Sequence, residues 1–151
     1  MIAGVKTKSL KLHVDERGRL MEILRRDDAL FVGFGQIYMT TAFPGVVKAW
    51  HYHQRQTDNF VCVRGLIKLV LYDNRKDSAT RGETNEFFIG DDNRLLVQIP
   101  VGVYHGFKAI GDTEAIVVNI PTEPYNYKEP DEHRIPPHDP SIPYNWALKE
   151  R

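Results

Sequence analysis

Three histidines and one aspartate carry the chemistry that this chain could perform. His51 and His53 are one residue apart, Asp58 follows, and His105 closes the run Pro100-Val101-Gly102-Val103-Tyr104-His105. Side chains alternate across a strand, so histidines at i and i+2 point the same way. If that way is inward, both imidazoles enter the interior, and a turn at 100–102 brings His105 beside them. Three imidazoles and a carboxylate could hold a metal such as Fe, Mn, Ni or Zn. A free imidazole in the same place is a general base that titrates near working pH. Taken alone, a strand histidine is more often a surface or satisfied core residue. The i, i+2 pair, with a third histidine after a Pro-x-Gly turn, favours a site. His13, His133 and His138 lack that context and are expected to face solvent.

The elements that must position these residues are short strands. Apolar and β-branched runs at 10–14, 19–24, 36–41, 46–53, 59–64, 66–72, 85–89, 95–99, 105–110 and 115–120 alternate with turn sequences. Those turns include Glu16-Arg17-Gly18, Pro44-Gly45, Asp73-Asn74-Arg75 and Gly111-Asp112. Only 26–31 reads as a helical turn. Many short strands at regular spacing predict an all-β sandwich or barrel. After Ile120 the texture changes, because seven of the nine prolines lie there. Proline removes a backbone donor, so this stretch cannot be a central strand. It also carries Tyr125, Tyr127, Tyr144 and Trp146, which predict an irregular wrap packed on the barrel. No repeat or linker interrupts the sequence, and one domain over 1–151 is expected.

Composition narrows the partners. Lys plus Arg and Asp plus Glu each number 20, so zero net charge exerts no broad pull on nucleic acid or anionic membrane. An anionic ligand must then be held by local positive groups. No apolar run is long enough to span a bilayer, and residues 1–8 lack an apolar signal core. The one cysteine, Cys62, sits in an apolar strand and reads as a buried thiol; it can form no internal disulfide. A cytoplasmic protein is expected.

Gly45, His51, His53, Asp58 and Gly65 are spaced as in the first cupin motif, with Asp in place of the usual Glu, and 100–105 resembles the second. A wider resemblance is to dTDP-4-dehydrorhamnose 3,5-epimerase and related nucleotide-sugar epimerases. Asp15-Glu16-Arg17-Gly18-Arg19-Leu20-Met21-Glu22 resembles that family's Asp-Glu-Arg-Gly-x-x-x-Glu. Val47-Lys48-Ala49-Trp50-His51-Tyr52 stands where the family has Leu-Arg-Gly-Leu-His-(Phe/Tyr), and Gln36 lies fifteen residues before His51 as a family Gln does. Residues 100–107 resemble Pro-x-Gly-x-x-His-Gly-Phe, and 139–146 resemble the family's Asp-(Pro/Glu)-x-Ile-x-Ile-x-Trp tail.

The resemblance implies a cupin jelly-roll β-barrel with a proline-rich C-terminal wrap. It also implies a homodimeric isomerase that works without metal or other cofactor on a nucleoside-diphosphate 4-keto-6-deoxy sugar. His51 matches the base that removes the proton next to the keto group, and Tyr125 is the best match for the acid that returns it. Arg17 and Lys48 match diphosphate positions, and Glu22 and Gln36 match nucleotide-side positions. His53, Asp58 and His105 are expected around the sugar. The sequence also departs from the family. Asp58 aligns with the family's active-site lysine, His53 replaces a Gln, and Ala49-Trp50 replaces Gly-Leu. The aspartate that orients the family's histidine from beyond the tail tryptophan has no counterpart in the five residues after Trp146. The His-x-His pair is similar to that of the sugar 3,4-ketoisomerases. A metal-dependent cupin using His51, His53, Asp58 and His105, and a non-catalytic nucleotide-sugar-binding cupin, stay open at this point.

Overall fold

Runs rich in Val, Ile and aromatic residues, punctuated by Gly, Pro and Asp, form strands because branched and aromatic side chains pack well on a half-buried pleated surface. The computed structural model describes residues 1–150. In chain order the strands are β1 (Lys6–Ser9), β2 (Leu12–Asp15), β3 (Gly18–Met21), β4 (Tyr38–Ala42), β5 (Val47–Tyr52) and β6 (Asp58–Arg64). They continue with β7 (Leu66–Asp73), β8 (Thr84–Gly90), β9 (Leu95–Ile99), β10 (Val103–Ala109), β11 (Ala115–Asn119) and β12 (His133–Arg134). Two of these carry no apolar alternation and escape a sequence reading. β1 is Lys-Thr-Lys-Ser, and β12 is a two-residue pairing inside the proline-rich stretch.

The helical turn expected at 26–31 does not form, and no α-helix occurs among the described residues. Two successive turns stand there, closed by Asp28 N–H to Arg25 O (3.1 Å) and Phe31 N–H to Asp28 O (2.9 Å). A six-residue segment cannot repay the cost of nucleating a helix. The Asp28 carboxylate instead accepts the Arg25 N–H at 2.8 Å and the Lys8 ammonium at 2.5 Å.

Two five-stranded antiparallel sheets face each other as a cupin-type jelly roll. One has the order β1-β9-β6-β11-β4, the other β12-β5-β10-β7-β8, and β2 pairs β3 as a separate hairpin. The period of two fixes what lies between the sheets. Phe60 and Cys62 from one sheet meet Ile67, Leu69, Leu71 and Phe107 from the other, all buried. Burying a side chain of this size contributes about 1.5–3 kcal/mol. The opposite phase of the second sheet, Trp50, Val70 and Tyr72, is covered from outside by Ile142, Tyr144 and Trp146. The proline-rich segment thus supplies an apolar cover where it cannot supply a ladder. Both indoles, Trp50 and Trp146, donate to the Pro137 carbonyl, at 3.2 and 3.1 Å.

Strand register sets the histidines. His105 pairs with His51 on one side and with Leu71 on the other, so all three share the inner face. A bulge follows between His105 and Phe107. Gly106 is required there, because a Cβ at that position would lie 2.3 Å from the Ala49 Cβ. Gly102, at φ 78°, completes the turn into β10 and donates its N–H to the His53 carbonyl at 2.7 Å. That bond joins the end of β5 to the start of β10.

Candidate active site

At one end of the barrel the inner phase turns polar. Asp58 opens β6, Asn119 ends β11, His105 lies near the start of β10, His51 lies near the end of β5 and His53 just past it. Asp58 is 1% exposed and is the hub. Its Oδ1 accepts the side-chain amides of Gln56 (2.8 Å) and Asn119 (2.9 Å). Its Oδ2 lies 3.2 Å from His53 Nε2 and 3.0 Å from His105 Nε2. The outer nitrogens of both rings are spoken for. His105 Nδ1 donates to the Val103 carbonyl at 3.0 Å, and His53 Nδ1 to the Asp131 carbonyl. A carbonyl only accepts, so each Nδ1 carries the proton. The His51 ring lies 4.0 Å from that of His105 and 5.5 Å from that of His53, centre to centre.

Electrostatics separates the roles. Burial, reinforced by the neighbouring His105 ring, holds His51 well below the ordinary imidazole range, so it is neutral. Burial works against the charged form of His53 too, but the Asp58 carboxylate outweighs it and moves that ring upward. For Asp58, burial would raise the carboxyl, yet the facing His105 and His53 rings keep it far below the usual range. Tyr38, whose oxygen accepts the Asn119 amide at 3.0 Å, is pushed up to about 12 by burial and by the Asp58 charge, so its phenol stays protonated.

The cluster floors a cavity of about 1050 Å³ between the barrel mouth and the segment after β11. Gln36, Lys48, His51, His53 and Tyr125 all line it. Lys48 donates to Thr40 Oγ1 at 2.9 Å, and Tyr125 packs edge-on against Tyr127 at 4.9 Å. Asp58 and His105 lie behind the floor. Two expected residues are not brought there. Arg17 sits on the turn of the β2–β3 hairpin, 85% exposed and bonded to Asp15, and Glu22 pairs with Arg25. His13 and His138 face solvent, but His133 does not fully. It is half-buried, stacked on Tyr52 at 4.8 Å through the β12–β5 pairing.

Sequence reasoning passed over Tyr38, Gln56, Asn119, Asp131 and Arg134. Asn119 had a signal, since it ends an otherwise apolar inner phase (Ala115, Val117, Asn119), and Tyr38 a weaker one in the phase Ala42, Thr40, Tyr38. Asp131 lies in irregular chain and Arg134 in the two-residue β12, and neither had one. The arrangement offers a neutral base, a protonated phenol and cationic side chains around one cavity. It also offers four donors that suit a transition-metal ion. His51, His53, Asp58 and His105 each present one ligand atom, all within 4.8 Å of one another. The facing atoms His53 Nε2, His105 Nε2 and Asp58 Oδ2 are buried without a hydrogen bond.

The family model for dTDP-4-dehydrorhamnose 3,5-epimerase matches residues 1–151. The spore coat polysaccharide biosynthesis protein SpsL of Bacillus subtilis is 44% identical over 151 residues, covering 100% of both chains. A probable low-salt glycan biosynthesis epimerase of Haloferax volcanii is 44% identical over 137 residues, 89% of this chain and 88% of that one. The crystal structure of a dTDP sugar isomerase from Desulfovibrio desulfuricans superposes with a TM-score of 0.93 at 36% identity, covering 99% of this chain and 94% of the other.

Proposed function

The chain belongs to the dTDP-4-dehydrorhamnose 3,5-epimerase family, and from that premise we propose that it inverts a carbon next to the keto group of a nucleoside-diphosphate-linked 4-keto-6-deoxy sugar. The observation that carries this reading is the convergence of His51, Gln36, Lys48 and Tyr125 on one cavity. The keto group acidifies the adjacent C–H bonds. Neutral His51 takes the proton, and the electron pair of the broken C–H bond moves into an enolate whose charge rests on the former keto oxygen. The Tyr125 phenol returns a proton to the opposite face; the imidazolium of His51 then releases its proton to solvent, and the Tyr125 phenolate takes one up from it. Lys48 meets the diphosphate as a point charge, without the bidentate geometry of an arginine. Gln36 lies on the nucleotide side.

Arg17 and Glu22 enter this reading through a second copy. The β2–β3 hairpin pairs with no other strand and exposes Val14 (71%) and Leu20 (61%). The edge strand β4 exposes Met39 (62%). Unpaired edges with apolar faces suit association between copies. In the homodimer we propose, Arg17 of the partner subunit reaches the diphosphate. A single domain working in the cytoplasm completes the proposal, in keeping with the lone buried thiol of Cys62.

The test is solvent exchange. A dTDP-linked 4-keto-6-deoxy sugar incubated with the protein in deuterium oxide should gain deuterium at C3, C5 or both. His51→Asn keeps approximate size and cannot accept a proton near neutral pH. It should slow exchange at least about a hundredfold, the lower end of general-base contributions, while nucleotide binding survives. Full exchange in that variant would refute the base assignment.

A further inference from the structure

We propose that the Tyr38 hydroxyl donates a hydrogen bond to the substrate's keto oxygen and stabilises the charge that gathers there when His51 takes the carbon-bound proton. This rests on the epimerase reading and adds to it the group that the enolate oxygen meets. The argument is an accounting of donors. Asn119, fully buried, accepts the Asn59 backbone N–H on its Oδ1 at 3.0 Å. That bond fixes which end of the amide is nitrogen. A flipped Asn119 would set N–H against N–H there, and oxygen against the Asp58 oxygen. The amide nitrogen has two hydrogens. One goes to Asp58 Oδ1 at 2.9 Å and the other to the Tyr38 oxygen at 3.0 Å. An amide nitrogen has no lone pair to offer, so Tyr38 is the acceptor in that contact and keeps its own proton to give elsewhere. Among the described residues no acceptor takes that proton, and Tyr38 lines the cavity.

The surroundings suit this use. Tyr38 comes from β4 in one sheet and His51 from β5 in the other, and both side chains line one cavity. A sugar ring seated between the sheets then meets the base from one and the phenol from the other. The hydroxyl is tied through Asn119 to the buried backbone of β6, so it is in place before charge develops. A donor fixed beforehand against buried neighbours is worth more to a developing oxyanion than mobile water. The bond that Tyr38 accepts also polarises its O–H and strengthens the bond it gives. Burial and the Asp58 charge disfavour a phenolate, so the proton is shared with the substrate oxygen and not surrendered to it. The pair from the broken C–H bond forms C=C, the carbonyl π pair moves onto oxygen, and the Tyr38 O–H bond stays intact. The other donors on the cavity suit other tasks. The Lys48 ammonium is bonded to Thr40 Oγ1 and is assigned to the diphosphate. Tyr125 is 42% exposed, with its ring against Tyr127, and so suits a group that gives up a proton and regains one from solvent. The two phenols divide the work: Tyr125 serves carbon and Tyr38 serves oxygen.

The test pairs kinetics with a bond frequency, using the full-length protein and a dTDP-linked 4-keto-6-deoxy sugar. Tyr38→Phe should slow deuterium exchange and inversion together by about 10²- to 10³-fold, the usual cost of removing one oxyanion donor. Its affinity for dTDP should stay within a few-fold of wild type. Tyr125→Phe should differ, losing inversion while exchange through His51 continues. His51→Asn, which binds the sugar nucleotide without turning it over, lets the carbonyl be read in place. With the keto carbon isotope-labelled, infrared difference spectroscopy should find the bound C=O stretch at lower frequency in His51→Asn than in the double variant that also carries Tyr38→Phe. A merely structural Tyr38 would not produce that shift, and an identical frequency in the two proteins overturns the proposal. So does a Tyr38→Phe protein that exchanges at the wild-type rate. Exchange retained with inversion lost would make Tyr38 the acid for carbon, and a matching loss of dTDP affinity would make it a nucleotide contact; either result overturns the assignment to oxygen. Wild-type protein that exchanges nothing sinks the epimerase reading and this role with it. Wild-type exchange with an unmoved carbonyl keeps the reading and sinks the role of Tyr38 alone.

Discussion

Replacing Asp131 with alanine should destabilise the fold by about 2–3 kcal/mol and impair exchange more than binding. The Asp131 carboxylate accepts three backbone N–H groups, from Gln54 (2.9 Å), Arg55 (2.8 Å) and Gln56 (3.3 Å). It therefore ties the connection between β5 and β6 to the proline-rich wrap. A hydrogen bond to a charged group is worth about 1.5–3 kcal/mol, so three would sum to several. Gln54 and Arg55 are exposed, however, and water takes over their N–H groups in the variant. Only the bond at Gln56, the longest, is lost in a buried setting. The net of about 2–3 kcal/mol is roughly a thirty- to two-hundredfold change in the unfolding constant. Urea denaturation reads it directly, and Asp131→Asn, which keeps one acceptor oxygen, should lose about half as much. The functional consequence follows from the same residue's carbonyl, which holds His53 Nδ1. A shift of about 1 Å in a positioned group can cost on the order of a hundredfold in rate. Lys48 and Gln36 come from other elements, so nucleotide affinity should stay within a few-fold. An Asp131→Ala variant within 0.5 kcal/mol (about the scatter of ordinary surface substitutions) and with undiminished exchange would refute the role given to the wrap.

Two further predictions concern charge. Asp73, fully buried, would be raised by burial but is held low by Arg75, Ser78 and Thr80, at 2.8, 2.5 and 2.7 Å. Its folded carboxyl thus lies below its unfolded value, so its stabilisation is complete above pH of about 4 and is lost as pH falls below that. Asp73→Asn should cost about 3 kcal/mol at neutral pH, the low end for breaking a buried pair because Arg75 is 27% exposed, and should flatten the acid limb of a stability–pH curve; an unchanged acid limb would refute it. Arg17→Ala and Lys48→Ala should each weaken nucleotide-sugar binding and reduce its salt dependence. Light scattering should give a dimer, and if Arg17 acts across it, deleting the hairpin should cost both dimer and affinity; unchanged affinity in both point variants would contradict the diphosphate assignment.

The sequence made the histidine strand legible because one rule, alternation, is enough to put His51 and His53 on a common face. The same rule reads Asp58 with Phe60 and Cys62 on β6. What it could not supply was everything built by irregular chain. The carbonyl that fixes the His53 tautomer belongs to Asp131, a residue with no periodicity to place it. β12 is invisible for the same reason, and β1 because its four residues are polar. Arg17 was correctly seen as a turn residue, yet a single chain does not bring it to the cavity.

A stricter use of alternation would have found more of the site. Follow only the inner phase of each strand from the barrel's middle toward the mouth. β10 reads Ala109, Phe107, His105; β6 reads Cys62, Phe60, Asp58; β11 reads Ala115, Val117, Asn119; β4 reads Ala42, Thr40, Tyr38. In each the inner-facing series begins with a small or apolar residue and ends at a polar one, and every end lies at the same mouth. A lone polar residue closing an apolar series is ambiguous, because it could simply meet water at a strand end. Four that converge are not, since Asp58, Asn119 and His105 are buried at their strand ends and must satisfy one another. Asn119 and Gln56 do so for one oxygen of Asp58. The second oxygen and the two facing imidazole nitrogens do not. The apolar packing that gives the barrel its stability is thus also what excludes water from this cluster and leaves Asp58 Oδ2 to the two imidazoles that face it.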